Sequence, residues 1–444
     1  MTQKYFGTDG VRGRVGEAPM TADFALRLAG AAARVLVPDG GSVVIGKDTR
    51  VSGYMFEASL EAGFVAAGAD VLMLGPLPTP GVAYITRLFN ADLGVMISAS
   101  HNPYFDNGIK FFNRDGSKLS DDDELRIEAL LQAPARTRDS SELGFARRID
   151  SARERYMEFC LGTVAKGLRL DGMKIVLDCS NGAAFKVGPR VLSALGANVI
   201  PIGCSPNGKN INEGCGSTQP ELLQQMVLGV EADLGIALDG DGDRVVMVDH
   251  AGNLVDGDKL IYVVAMGRQR AGELQGPVVG TVMSNLGLER KLGEHDIPFV
   301  RAKVGDRHVM TELRKYNGVI GGETSGHIIC LDRTTTGDGL VSALQLLEII
   351  VTSGRTLADL AADMPLYPQV LINVRVSERI DPNANDTIVA ARQAVEHELG
   401  ERGRVVLRAS GTEPVIRVMV EGEDKGEVRA AAARIADTVK SAAA

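Results

Sequence analysis

At 444 residues, with 45% hydrophobic and 24% charged side chains, the chain is long enough for several domains and a large core. Its net charge of −9 and the lack of any long basic run argue against nucleic acid as the main partner. No stretch approaches the ~20 apolar residues of a membrane span. The N-terminus has no apolar signal segment, and five scattered cysteines without a C-x-x-C pair fit a reducing, cytoplasmic setting.

Residues 6–13 (Phe-Gly-Thr-Asp-Gly-Val-Arg-Gly) are too glycine-rich for a helix. They read as an exposed terminal loop, or as one folded back to present Arg12 to an anion. Residues 21–37 have an N-cap threonine and helical apolar spacing. Residues 42–46 read as a buried strand, followed by a helix to 67, a strand over 71–74 and a helix within 80–90. Strands alternating with helices imply a mostly parallel sheet. Residues 93–97 are a buried strand ending in Ser98-Ala99-Ser100-His101-Asn102-Pro103. A second strand, 107–112, and an acidic helix, 120–132, follow.

The polar segment 134–150 reads as a linker. The pattern then restarts, with helices over 153–165, 183–195 and 220–231 and strands over 174–178, 198–202 and 234–238. The last of these runs into Asp239-Gly240-Asp241-Gly242-Asp243-Arg244, and 245–249 returns as a strand. It restarts again with helices over 259–270, 286–295 and 339–351. Strands cover 277–283 and 299–304, and 318–321 leads into Gly322-Glu323-Thr324-Ser325-Gly326-His327. Three times an apolar strand ends in a Gly/Ser/Asp loop and another strand follows at once. The period is too long for a solenoid. The expectation is an α/β protein with three similar mixed α/β domains, 1–150, 151–254 and 255–366. A smaller α+β domain, 367–444, follows. Its conspicuous loop is Arg408-Ala409-Ser410-Gly411-Thr412-Glu413-Pro414, ahead of a strand carrying Arg417.

Asp239, Asp241 and Asp243 are spaced by two with glycines between. Three carboxylates so close repel one another unless a cation or a cationic side chain lies among them. An EF-hand would need glycine and glutamate where Arg244 and His250 stand, and a haloacid-type phosphatase would need threonine where Asp243 stands. What remains is a hard-cation site, most naturally Mg²⁺, with Arg244 as an anion contact. No dinucleotide fingerprint or nucleophile elbow occurs, and residues 203–210 match a Walker A loop only by chance. Ser100 and His101 are sequence neighbours, which does not suit a nucleophile–base pair. Arg408, Ser410, Gly411, Thr412 and Arg417 have the composition of a phosphate cradle, and Glu323 and Ser325 suit sugar hydroxyls.

The Ser-Ala-Ser-His-Asn-Pro, Asp-Gly-Asp-Gly-Asp-Arg, Gly-Glu-x-Ser-Gly-His and Arg-x-Ser-Gly-Thr-Glu-Pro loops occur in the order found in the α-D-phosphohexomutases. The chain resembles that family over nearly its full length. The segments 6–13, 304–307 and 410–414 resemble the bacterial branch that handles glucosamine phosphates. Two positions depart from the pattern of that branch: Thr324 stands where glutamine is frequent, and His308 where tyrosine is frequent.

The resemblance implies four domains around one cleft and interconversion of glucosamine 6-phosphate and glucosamine 1-phosphate on the route to UDP-N-acetylglucosamine. The implied cofactors are Mg²⁺, a phosphorylated Ser100 and glucosamine 1,6-bisphosphate as intermediate. Ser100 would carry the phosphoryl group, with Lys110 and Arg12 beside it and His101 next in the loop. The phosphoserine, Asp239, Asp241 and Asp243 would hold the metal, beside Arg244. Glu323, Ser325 and His327 would meet the sugar, and residues 408–412 with Arg417 the phosphate. Ser98 has no transfer role in the resemblance. The expected partner is a phosphosugar, with no nucleic acid or membrane, and a homodimer is allowed. Competing readings are a phosphomannomutase or phosphoglucomutase, a Mg²⁺-dependent phosphatase with Asp239 or Asp241 as nucleophile, and a phosphosugar sensor without turnover.

Overall fold

A computed structural model describes residues 4–7, 9–134, 136–377, 381–409 and 414–442. The first sheet holds six strands: β1 (Val11–Arg14), β2 (Gly41–Lys47), β3 (Ala69–Pro76), β4 (Leu93–Ile97), β5 (Asp106–Asn113) and β6 (Ala146–Arg148). The second holds β7 (Lys174–Asp178), β8 (Asn198–Ile202), β9 (Leu234–Leu238), β10 (Val245–Asp249) and β11 (Leu254–Val255). The third holds β12 (Val278–Thr281), β13 (Phe299–Ala302), β14 (Ile320–Gly322) and β15 (Ile328–Cys330). The last holds β16 (Gln369–Arg375), β17 (Gly403–Ala409) and β18 (Val415–Gly422).

The repeat seen in the sequence is a repeat of topology. The first three sheets share the neighbour order β5-β4-β2-β3, β10-β9-β7-β8 and β15-β14-β12-β13. The strand before the special loop (β4, β9, β14) runs parallel to β2, β7 and β12 respectively and antiparallel to the strand after the loop. The three loops therefore leave their sheets at carboxyl ends, where open α/β sheets bind ligands.

Two readings of the sequence are corrected. The polar segment 134–150 is not simply a linker: its residues 146–148 form β6, parallel to β3 at the sheet edge. An edge strand exposed to water can be all polar, so hydrophobic patterning does not reveal it. The opening stretch is not an exposed loop: residues 11–14 form β1, antiparallel to β5, with Arg12 opposite Gly108. The sequence reading also passed over the helix Asp306–Tyr316, whose buried face is only Val309 and Leu313.

The largest apolar cluster joins the first three units, with Val82 and Ile85, then Ile175 and Leu177, then Leu260 and Leu344 among its members. The helix Gly339–Ser353 runs through it with ten buried residues. The last sheet packs its helices Asp386–Leu399 and Lys425–Ala442 into a separate core. That unit docks on the third through polar groups. The Arg404 guanidinium donates to the carbonyls of Val282 (2.8 Å) and Ser284 (2.6 Å), and Glu421 accepts the Leu286 N–H (3.0 Å). Polar interfaces of this kind permit relative motion of the joined units.

Candidate active site

Ser100 stands on the loop after β4 with φ 52°, a left-handed conformation uncommon for serine. Such a residue costs on the order of 1–3 kcal/mol unless its surroundings hold it. Here they do. Its N–H donates to Ser98 Oγ (2.9 Å), and its carbonyl accepts from Asn212 Nδ2 (2.9 Å) and Arg50 Nη2 (3.1 Å). Ser98 Oγ in turn donates to Asp48 Oδ2 (2.5 Å), which also pairs with the fully buried Arg50. Gly240 allows the second loop to approach, because a Cβ there would sit 2.6 Å from the Ser100 carbonyl oxygen.

The Ser100 hydroxyl donates to Asp239 Oδ2 at 2.5 Å. Asp239, Asp241 and Asp243 are buried, and one carboxylate oxygen of each lies within 4.8 Å of the others. Burial, then Asp243 and Asp241, push the Asp239 carboxyl well above the usual carboxylate range. Burial would raise Asp243 too, but Lys110 and His327 more than reverse this and hold it low. Asp241 Oδ1 and Asp243 Oδ1 are buried without a hydrogen-bond partner among the described residues. Orphaned anionic oxygens converging from one loop fit a hard divalent cation.

Lys110, on β5, lies with its ammonium 2.8 Å from Asp241, 2.9 Å from Asp9 and 3.5 Å from Asp243. Burial alone would lower its pKa; the three carboxylates override this and keep it charged. Thr79 Oγ1 also donates to Asp241 Oδ2, at 2.5 Å. Arg12 pairs with Asp9. His101 Nδ1 lies 3.3 Å from Ser100 Oγ. Burial, with Arg244 and Arg12, lowers the His101 pKa to about 4, so its imidazole is neutral at pH 7.

The third loop packs on the second, with the Val245 N–H donating to the Gly326 carbonyl at 3.0 Å. His327 is buried, its Nδ1 3.7 Å from Asp243 Oδ1 and its Nε2 3.5 Å from Asp306 Oδ2. Burial pushes its pKa down, but Asp243 and Asp306 carry it up to about 9. Glu323 accepts the Gly305 N–H at 2.9 Å, and Ser325 is exposed. Thr324 donates to the buried Asp258 at 2.7 Å.

In the fourth unit, Arg408 and Arg417 face each other across β17 and β18. Burial, then Arg417, lower the Arg408 pKa, and Glu323 opposes the fall. Glu323 likewise supports the charge of Arg244, so the third-loop carboxylate interacts with cations of the second and fourth units. Ser410, Gly411 and Thr412 lie outside the described residues.

Ser100, Lys110, Arg12, Asp239, Asp241, Asp243 and His327 thus converge from three separate sheets. Sequence reasoning missed Asp9, Lys118 and Asp306, which link the charged groups, and Asp48, Arg50 and Asn212, which brace the Ser100 loop. Asp9 lay within the glycine-rich opening, and Asp48 and Arg50 directly after a buried strand. For Asp48 and Arg50 the signal is their place at the carboxyl end of β2; Asp9, ahead of β1, carries none.

Four descriptions of one family match the chain in order. Phosphoglucomutase/phosphomannomutase alpha/beta/alpha domain I matches residues 3–138, domain II 154–252, domain III 256–367 and the C-terminal domain 371–438. The phosphoglucosamine mutase of Photorhabdus laumondii is 56% identical over 441 residues, 99% of each chain. A phosphoglucomutase/phosphomannomutase family protein from Burkholderia thailandensis superposes with TM-score 0.82 at 23% identity, over 100% of this chain and 98% of that one. The Aspergillus fumigatus N-acetylphosphoglucosamine mutase in complex with GlcNAc-6P and magnesium has TM-score 0.71 at 19% identity, over 100% and 96%. Carrying all four domains in sequence and a relative this similar along its full length, the chain belongs to the phosphoglucomutase/phosphomannomutase family, the α-D-phosphohexomutases.

Proposed function

We propose that the protein interconverts glucosamine 6-phosphate and glucosamine 1-phosphate, with Ser100 as phosphoryl carrier and glucosamine 1,6-bisphosphate as intermediate. The observation that carries this reading is the Ser100 hydroxyl, held 2.5 Å from Asp239 on a floor of three buried carboxylates and beside Lys110. The full-length phosphoglucosamine mutase relative supports the choice of sugar.

Phosphoserine brings about −1.5 to −2 charge into this buried floor, and passing it on is chiefly a matter of neutralisation and in-line positioning. Mg²⁺, held by Asp239, Asp241, Asp243 and the phosphoserine, would supply the neutralising charge at the transferring group. Lys110 and Arg12 meet the equatorial oxygens. The P–Oγ bond of Ser100 breaks as a P–O bond to the sugar hydroxyl forms, and the proton that hydroxyl gives up ends on Ser100 Oγ, which returns to a free hydroxyl. Glu323, Ser325 and His327 orient the sugar ring. Arg408 and Arg417 grip the phosphate that is not transferred, and their mutual repulsion ends when a dianion sits between them. One cradle serves either end of the sugar, so the bisphosphate turns over between half-reactions. The product feeds UDP-N-acetylglucosamine synthesis in the cytoplasm.

The test compares kcat/KM on glucosamine 1-phosphate, mannose 1-phosphate and glucose 1-phosphate, with the phosphopeptide mapped by mass spectrometry. Preference for glucosamine 1-phosphate and phosphate on Ser100 are expected. Preference for a neutral sugar would overturn the choice of substrate, and label on an aspartate would overturn the carrier.

A further inference from the structure

Six side chains from three units close a ring in which nitrogen groups alternate with carboxylates. Lys118 Nζ lies 2.5 Å from Asp9 Oδ1 and 2.5 Å from Asp306 Oδ2. Asp306 Oδ2 lies 3.5 Å from His327 Nε2, and His327 Nδ1 lies 3.7 Å from Asp243 Oδ1. Asp243 Oδ2 lies 3.5 Å from Lys110 Nζ, which returns to Asp9 Oδ2 at 2.9 Å. No member's side chain is more than 19% exposed, so solvent screens these contacts weakly.

Asp9, Lys110 and Lys118 belong to the first unit, Asp243 to the second, and Asp306 and His327 to the third. Within the ring, Lys118 is where the first unit reaches Asp306, at the start of the helix Asp306–Tyr316. Asp9 and Asp306 are near enough to repel each other, and the Lys118 ammonium lies between them. Without it, Asp9 would draw harder on Lys110, away from Asp241, and Asp306 would draw harder on His327, away from Asp243. We propose that Lys118 and Asp306 are positioning residues, which act through Asp9 and His327 to fix Lys110 and Asp243 against the reacting group. The proposal builds on the mutase reading above but concerns geometry common to any hexose phosphate.

A merely structural tie between the same units lies next door and serves as control. Arg307 bonds Glu124 Oε1 at 2.6 Å and touches no member of the ring through its side chain. Lys118 and Asp306 also line a cavity of about 400 Å³ shared with Ser117 and Thr335, so the substituted side chains meet space and not a clash.

The experiment measures kcat, KM for glucosamine 6-phosphate, melting temperature and the single-turnover rate of Ser100 phosphorylation by glucosamine 1,6-bisphosphate. Lys118→Met and Asp306→Asn should each lower kcat and the phosphorylation rate by about tenfold or more with little change in KM, the signature of a lost transition-state arrangement. The double variant should lose no more than the worse single, because the ring is already open. Lys118→Arg should stay within about threefold of the parent, and Arg307→Met should change melting far more than kcat. A Lys118→Met enzyme within about twofold of the parent, strictly additive singles, or equal kcat damage from Arg307→Met would overturn the proposal. If the parent instead prefers another hexose phosphate, the substrate reading fails alone, and the same variants on that sugar still decide the role of the ring.

Discussion

Ser98 Oγ accepts the N–H of Ser100 at 2.9 Å while donating to Asp48 at 2.5 Å, so the earlier serine holds the later one in its left-handed turn. From sequence, Ser98 was a bystander. The structure makes Ser98→Ala a test of positioning: losing a hydrogen bond of about 1 kcal/mol should lower kcat several-fold. Mass spectrometry should still find phosphate on Ser100. Phosphate on Ser98 in the parent would reverse the assignment.

Ser100→Ala leaves the carboxylates, the third loop and both arginines in place and removes the acceptor. Added glucosamine 1,6-bisphosphate should fail to prime it, while calorimetry should still detect ligand binding. Turnover near the parent rate would move the carrier elsewhere.

Asp241 accepts from both Lys110 (2.8 Å) and Thr79 (2.5 Å), and these join the first two units. Asp241→Asn should weaken Mg²⁺ binding at least tenfold, by the order of magnitude that losing one anionic ligand of three implies. It should also lower the melting temperature modestly, because Lys110 loses one of its three carboxylates. A large loss of stability without metal would show that the loop is chiefly structural.

Arg408 and Arg417 oppose each other on adjacent strands without a carboxylate within ion-pair distance among the described residues. Like charges directly opposite destabilise a sheet. Arg408→Ala should therefore leave stability unchanged or slightly raised while raising KM by roughly tenfold or more, since a charge-assisted phosphate contact is worth about 1.5–3 kcal/mol. Melting curves with and without glucosamine 6-phosphate check both parts; an unchanged KM would remove Arg408 from the cradle.

Asp258 is buried, and its Oδ2 accepts from the Asn285 N–H (2.8 Å) and the Thr324 hydroxyl (2.7 Å). Burial raises its pKa from 3.8 to about 6. A raised carboxyl holds its proton more tightly in the folded state. Between about pH 4 and 6 the folded chain therefore binds more protons, and this contribution to stability, roughly 2–3 kcal/mol, is full below about pH 4 and lost as pH rises through 6. Asp258→Asn removes that slope. Relative to the parent, the variant should gain stability from pH 4.5 to pH 7.5 in urea titrations. A pH-independent difference would place the Asp258 pKa near its ordinary value.

The sequence by itself determined which strands end in chemistry. The apolar runs before Ser98, Asp239 and Gly322 are buried whatever surrounds them, and the polar residues after them must leave the sheet at its carboxyl edge. The spacing of Asp239, Asp241 and Asp243 alone called for positive charge among them, because repulsion acts within one loop. What only the tertiary structure decided is which charges answer one another. Asp9, Lys118 and Asp306 lie far apart in the chain, and a lone aspartate or lysine carries no local pattern, so nothing ahead of folding pairs them. The same holds for β6 and β1, whose polar residues suit an edge that exists only once its neighbours are in place. Local periodicity records burial. Electrostatic pairing depends on distances that the packed units set.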